Sequence, residues 1–224
     1  MALPELWVCH LGVVDYREAL VLQERLRAAR QEDELPDVLL TLEHPPVYTR
    51  GRRSGPMGDV HGIDVVETDR GGLVTYHGPG QLVGYPIVRV DDVVGYVRTL
   101  ENALVRALVE EGVVDARSRP REGHRYTGVW VEDRKIASIG VHLSHGVSTH
   151  GFAVNVENDL EPFSWIVPCG LDGVQMTSLL RETGRTPSVM KCFRRRAAYQ
   201  VARGLGRRQR LVSLARLETR VPVA

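Results

Sequence analysis

Cys169 stands in the run Val167-Pro168-Cys169-Gly170-Leu171, inside an irregular stretch from Asn158 to Gln175 that also carries Pro162 and Gly173. A lone cysteine is most often a small buried hydrophobe. A position between proline and glycine in a long loop suits core packing poorly, and Gly170 leaves room beside the sulfur for a substrate. An ordinary thiol has a pKa of ~8.5, so only a few per cent is thiolate at neutral pH. A nucleophilic Cys169 therefore needs a base or a cation beside it. Lys135 and Lys191 are the only lysines in a chain that otherwise uses arginine for positive charge. Lys135 opens the run Lys135-Ile136-Ala137-Ser138-Ile139-Gly140, where strand alternation puts it on the face of Ala137 and Ile139. That small, apolar face is consistent with burial, which lowers a lysine pKa. A solvated hairpin lysine is the alternative.

A second polar cluster lies in Arg70-Gly71-Gly72-Leu73-Val74-Thr75-Tyr76-His77-Gly78-Pro79-Gly80-Gln81. Gly71-Gly72 allows close approach of a ligand to the backbone. Pro79-Gly80 suits the centre of a type II turn. Thr75, Tyr76 and His77 all form hydrogen bonds, more than a loop merely closing two strands requires. An irregular hairpin with a satisfied histidine is the plain alternative. The stretch is no phosphate cradle, because it lacks the Gly-Lys-Ser/Thr ending and its glycine spacing misses the dinucleotide fingerprint. His142, His145 and His150 fall on one hairpin without an accompanying carboxylate set, and neither HExxH nor a Gly-x-Ser-x-Gly elbow is present.

The elements that must position these residues follow from periodicity. Leu6 to Leu11 reads as a first strand. Asp15 and Glu18 open a helix whose apolar face is Tyr16, Ala19, Leu22, Leu26 and Ala29. Val38 to Leu42 is a buried strand ended by Pro45-Pro46, and Thr49 to Gly58 reads as an exposed, arginine-rich loop. The polar cluster lies between apolar runs Ile63–Thr68 and Leu82–Val90. A second long helix carries Val93, Val97, Leu100, Leu104 and Leu108, with Gly112 as its terminating glycine. Arg117 to Arg125 is another basic loop. Thr127–Val131, Lys135–Leu143 and Thr149–Val156 form an antiparallel meander. Thr177–Arg181 suggests a short helix, and Thr186-Pro187 starts another with Val189, Phe193, Ala197 and Val201 on one face, ending at Gly204. The tail from Arg207 has no clear assignment.

The fold class is α+β, with a mixed, mostly antiparallel sheet packed with helices, in one domain spanning 1–224. Residues 185–224 are a candidate smaller helical lobe. At 224 residues, 43% hydrophobic, 25% charged and net +1, the composition is that of an ordinary globular protein. It excludes nucleic-acid binding dominated by phosphate contacts. Three dispersed cysteines, Cys9, Cys169 and Cys192, fit neither a disulfide scaffold nor a zinc site. No apolar run reaches the ~18 residues of a membrane span, and the first ten residues lack a signal-peptide pattern. The expected compartment is the cytoplasm.

Taken in order, six segments resemble one family. They are Leu42-Glu43-His44-Pro45-Pro46-Val47-Tyr48-Thr49, Arg70 to Gln81, Thr127-Gly128-Val129-Trp130, Lys135 to Gly140, Thr149 to Asn155, and Pro168-Cys169-Gly170-Leu171. The family is that of the octanoyltransferases of lipoate biosynthesis, and the likeness runs to about Leu180. It implies a fold like that of biotin and lipoate protein ligases and the class II synthetase core. It implies transfer of an octanoyl group from acyl carrier protein to a lysine of lipoyl domains, those of 2-oxoacid dehydrogenase complexes and the glycine cleavage H protein. By matching motifs, Cys169 is the acyl-accepting nucleophile and Lys135 its partner. Arg70, Gly71, Gly72, Leu73, Val74, Thr75, Tyr76 and His77, with Ser138, Ile139, Gly140, Gly151, Phe152 and Ala153, would line the acyl site. No cofactor or metal is implied, because a thioester donor is already activated. The rival readings are an ATP-dependent lipoate ligase on the same fold and a non-catalytic adaptor for lipoyl domains or acyl carrier protein.

Overall fold

The computed structural model describes residues 3–55, 57–166, 173–184 and 189–221. Among these, one large sheet runs through the molecule. Its strands are β1 (Glu5–Val13), β2 (Asp37–Glu43), β6 (Gln81–Ile87), β7 (Ala116–Arg117), β8 (Gly128–Val131), β9 (Arg134–Ser144), β10 (Val147–Asn155), β11 (Gln175–Met176) and β12 (Arg208–Leu211), in the order β12-β1-β2-β6-β10-β9-β8-β7 with β11 beside β9. The pairings from β2 through β7 are antiparallel, whereas β12–β1, β1–β2 and β11–β9 are parallel. A small second sheet joins β4 (Asp64–Glu67), β3 (Val47–Arg50) and β5 (Val74–His77). The architecture is the expected mixed, mostly antiparallel α+β arrangement.

The large sheet is covered on both faces, which explains why β1 and β2 read as unbroken apolar runs. Leu6, Val8 and Leu39 point into one core, with α2 (Val93–Glu110) and α4 (Val189–Gly204). Trp7, Cys9, Val38 and Leu40 point into the other, beneath α1 (Tyr16–Gln31). The period-2 alternation of strand side chains divides them. In the first core, Leu100 and Leu104 of α2 meet Phe193, Ala197 and Val201 of α4, all fully buried. The helix start at Asp15 forms as expected, its side chain accepting from the backbone N–H groups of Arg17 and Glu18, while Asp92 accepts from that of Val94 and the expected start at Thr186-Pro187 lies outside the described residues. A short α3 (Leu179–Thr183) is capped by Ser178.

Two expectations change. Thr49 and Arg50 belong to β3 and not to an exposed loop, because Thr49 is fully buried as the acceptor for Arg70. The tail has definite structure: β12 extends the sheet beside β1, and α5 (Leu214–Glu218) packs Leu217 into the second core. The turn at Pro79-Gly80 forms as expected, with Gly80 at φ +84° and the Gln81 N–H donating to the Gly78 carbonyl at 3.1 Å. No helix among the described residues is long and apolar enough to cross a membrane.

Candidate functional site

The Arg70–Leu73 segment leaves the small sheet and lies directly on β9. The Gly71 N–H donates to the Val141 carbonyl at 2.9 Å. A Cβ on Gly140 would sit 2.8 Å from the Gly71 carbonyl oxygen, so only glycine allows this approach. Arg70 is buried and holds the segment down, donating to the Thr49 carbonyl at 2.7 Å, to Thr49 Oγ1 at 2.8 Å and to the Gly71 carbonyl at 3.1 Å.

Between this segment and strands β9 and β10 lies a small, mostly apolar cavity. Arg70, Gly71, Gly72, Leu73, Val74, Thr75 and His77 line it, together with Ser138, Ile139, Gly140, Gly151, Phe152 and Ala153. Tyr76 faces away, packed against Tyr48 and Phe163. Four lining residues escaped the sequence reading: Tyr16, Val83, Tyr85 and His150. Tyr16 carried a signal only as one more apolar position on α1.

His44 and His77, in and behind this wall, are uncharged, and the geometry fixes their protons. His44 Nδ1 lies 2.7 Å from the Val14 carbonyl and Nε2 lies 2.7 Å from the Tyr85 hydroxyl. A carbonyl only accepts, so Nδ1 carries the proton and the Tyr85 O–H donates to Nε2. Burial pushes the His44 pKa down to about 4. His77 Nδ1 lies 2.7 Å from Gln81 Oε1, while Gln81 Nε2 donates to the Tyr76 carbonyl and to Asn155 Oδ1. That orientation of the amide makes His77 Nδ1 the donor. Burial, with His44 nearby, holds the His77 pKa well below its usual value.

These histidines set a pH dependence. Both stay neutral in the folded protein but take up protons near pH 6.5 once unfolded. Folded stability is therefore complete above pH 6.5 and falls as pH drops from 6.5 towards 4, by ~1.4 kcal/mol per pH unit for each proton taken up. Urea midpoints measured across this window should fall with acidification, and more gently in His44→Gln. A flat profile from pH 6.5 to 4 would contradict the assignment.

His142 and His150 do meet a carboxylate, contrary to the sequence reading. Asp69 lies 2.7 Å from His150 Nε2 and 3.2 Å from His142 Nε2, and it comes from the loop before Arg70. The hydrogen bond from His150, opposed by burial, holds the Asp69 pKa down at about 2. His150 is buried at φ +56°, a left-handed backbone unusual within a strand. His145 stays at the exposed turn beside Ser144. No group of three or more His, Cys, Asp or Glu residues able to hold a metal ion occurs among the described residues.

Lys135 is 1% exposed, as the alternation suggested. Its Nζ lies 5.2 Å from the centre of the Trp130 ring, and Gly128 packs on its stem. Met176 of β11 pairs beside it, and the Thr177 N–H donates to its carbonyl at 2.9 Å. Gly128, at φ +132°, donates its N–H to the buried carboxylate of Glu101 at 2.9 Å. Cys169 lies outside the described residues. Of the other cysteines, Cys9 is buried, which pushes its thiol up to about 11, and Cys192 is exposed on α4.

The arginine-rich segments divide into tied and untied groups. Arg50 pairs with Glu67, Arg119 with Glu122 and Asp133, and Arg117 donates to the Glu132 carbonyl. Arg52 reaches His142 at 3.2 Å. Arg121 is exposed. Arg53 and Arg125, also exposed, form no ion pair among the described residues and face a groove beside the cavity.

Comparison with known proteins agrees with this geometry. Residues 15–199 match the family described as the lipoyl protein ligase A/B catalytic domain. An octanoyltransferase of Acidothermus cellulolyticus is 48% identical over 184 residues, covering 80% of this chain and 83% of the relative. One of Mycobacterium leprae is 49% identical over 195 residues, covering 81% and 80%. Among solved structures, lipoate-protein ligase A bound with ATP superposes with a TM-score of 0.69 at 18% identity, covering 98% of this chain and 93% of that one. A bipartite lipoate protein ligase of Thermoplasma acidophilum, solved with its E2 lipoyl domain, gives 0.69 at 16% identity, covering 96% and 88%. The biotin protein ligase of Aquifex aeolicus gives 0.54 at 14%, covering 89% and 68%. At these identities the superpositions speak for the fold, and the sequence matches speak for the family. The chain belongs to the lipoyl protein ligase A/B catalytic-domain family and, within it, to the octanoyltransferases.

Proposed function

We propose that this octanoyltransferase takes its acyl group from an acyl carrier protein thioester, holds it on Cys169, and delivers it to a lysine of lipoyl domains, with Lys135 as the partner of the cysteine. The acceptors are those of 2-oxoacid dehydrogenase complexes and the glycine cleavage H protein. The observation that carries the reading is the cavity between Arg70–Thr75 and the β9–β10 hairpin. Its largely apolar wall suits an eight-carbon chain, and each CH₂ removed from water contributes ~0.8 kcal/mol.

The chemistry balances without a nucleotide. The Cys169 thiolate attacks the thioester carbonyl, the carrier's sulfur leaves and takes up a proton, and an acyl-cysteine remains. The acceptor lysine amine, with an ordinary pKa of ~10.4, loses a proton as it attacks, and the Cys169 sulfur leaves. Backbone N–H groups near Cys169-Gly170 or at Gly72 would stabilise the oxyanion.

Intact-mass measurement after incubation with octanoyl acyl carrier protein, without ATP, tests this. One octanoyl adduct should appear, map to Cys169 and disappear in Cys169→Ser. An adduct on Cys9 or Cys192, or acylation only from free octanoate with ATP, would overturn the proposal.

A further inference from the structure

Of the cavity lining, Gly71, Gly72, Leu73, Ile139 and Gly140 are shared with a second, larger groove of about 520 Å³. Val93 and Val97 of α2 and Val141 of β9 form its apolar walls, and Thr127 brings one end next to Gly128 and the stem of Lys135. Arg53, His124 and Arg125 supply its remaining side chains, with no carboxylate in the lining. The Arg53 backbone is fixed by its N–H bond to the Gly72 carbonyl at 3.4 Å, so this arginine starts from the cavity rim.

We infer that this groove seats the phosphodiester-linked, amide-containing arm that carries the donor thioester, with Arg53 and Arg125 on its phosphate. The inference rests on the octanoyl-carrier reading above and adds the donor's route. Three observations converge on it. The groove borders the acyl cavity along residues 71–73 and 139–140, so an acyl chain in one leaves the attached arm within reach of the other. Its walls combine apolar side chains with the glycine backbone of Gly71, Gly72 and Gly140, which suits an arm of methylenes and amides. Its charge is positive and without internal neutralisation, in a protein whose net charge is only +1. Guanidinium forks suit phosphate oxygens. The other macromolecular substrate brings a lysine ammonium, which Arg53 and Arg125 repel; the groove therefore favours the donor.

The test compares octanoyl-4′-phosphopantetheine with octanoyl-pantetheine, which differ by one phosphate, in the wild type and in Arg53→Gln/Arg125→Gln. Acyl-enzyme formation from the phosphorylated donor should lose about tenfold in kcat/KM, mainly through KM, the size expected of charge-assisted phosphate contacts. Reaction with the unphosphorylated donor should change less than about twofold, and octanoyl acyl carrier protein should follow the phosphorylated donor. Transfer from preloaded acyl-enzyme to a lipoyl domain should keep its rate and KM. Equal losses on both small donors, no loss on either, or a raised KM for the lipoyl domain would overturn the inference. Failure of the wild type to form an adduct from any donor would instead remove the underlying function.

Discussion

Lys135→Met lowers octanoyl transfer by about 10²–10⁴-fold, the range for loss of a positioned general acid or base. Methionine keeps the length and apolar stem of lysine but has no amine. Lys135 is fully buried beneath Trp130 and beside β11, so a neutral side chain of similar volume keeps the packing. The unfolding midpoint should therefore stay close to the wild type while activity collapses. Arginine is the less informative replacement. The Cβ position of Gly128 is only 2.8 Å from Lys135 Cε, and the Trp130 ring closes another side, leaving little space for a guanidinium. Adduct formation and delivery to the lipoyl domain should be timed separately in Lys135→Met. Loss confined to adduct formation assigns Lys135 to the Cys169 thiolate, and loss confined to delivery assigns it to the incoming amine. Wild-type rates in both steps would reduce the residue to packing.

Gly128→Ala should destabilise the protein by about 3 kcal/mol or more. Two costs combine. Gly128 sits at φ +132°, where an L side chain is strained, and its new Cβ would lie 2.3 Å from the Ala137 carbonyl oxygen. That carbonyl belongs to the β8–β9 pairing and yields only if the strands separate. For a chain of this size the change corresponds to roughly 6–12 °C in Tm. The same methyl presses on Lys135, so activity in the surviving folded fraction should fall as well. A Tm within about 2 °C of the wild type would show that the meander adapts.

The burial of Lys135 was legible because it rests on a local rule. Strand alternation put Lys135 with Ala137, whereas the paired glycines were read as room for a ligand and Gly71 in fact also sits against β9. Other parts were written in residues distant along the chain. Asp69 reaches His142 and His150 only because the small sheet folds over the large one, so the hairpin alone gave no sign of a carboxylate. Tyr16 and Tyr85 read as core positions, since an aromatic ring facing a cavity and one facing a packed interior leave the same periodic trace. Tyr76 shows the limit of a contiguous motif: in strand β5 its neighbours Thr75 and His77 line the cavity, and it fills the opposite side. Arg53 and Arg125 looked like their tied neighbours until the partners of Arg50 and Arg119 were known.

Strand β12 carries an implication for synthesis. It pairs with β1 from Glu5 to Val8, and Arg208 and Arg210 bind Glu5. On the ribosome, β1 emerges first and its outer edge gains this partner only after some 200 further residues, roughly 10–40 s at translation rates of ~5–20 residues per second. During that interval Leu6, Trp7 and Val8 form an open edge, the kind that recruits other chains. Removing residues 207–221 should thus show itself first as aggregation of newly made protein, ahead of any defect in chemistry.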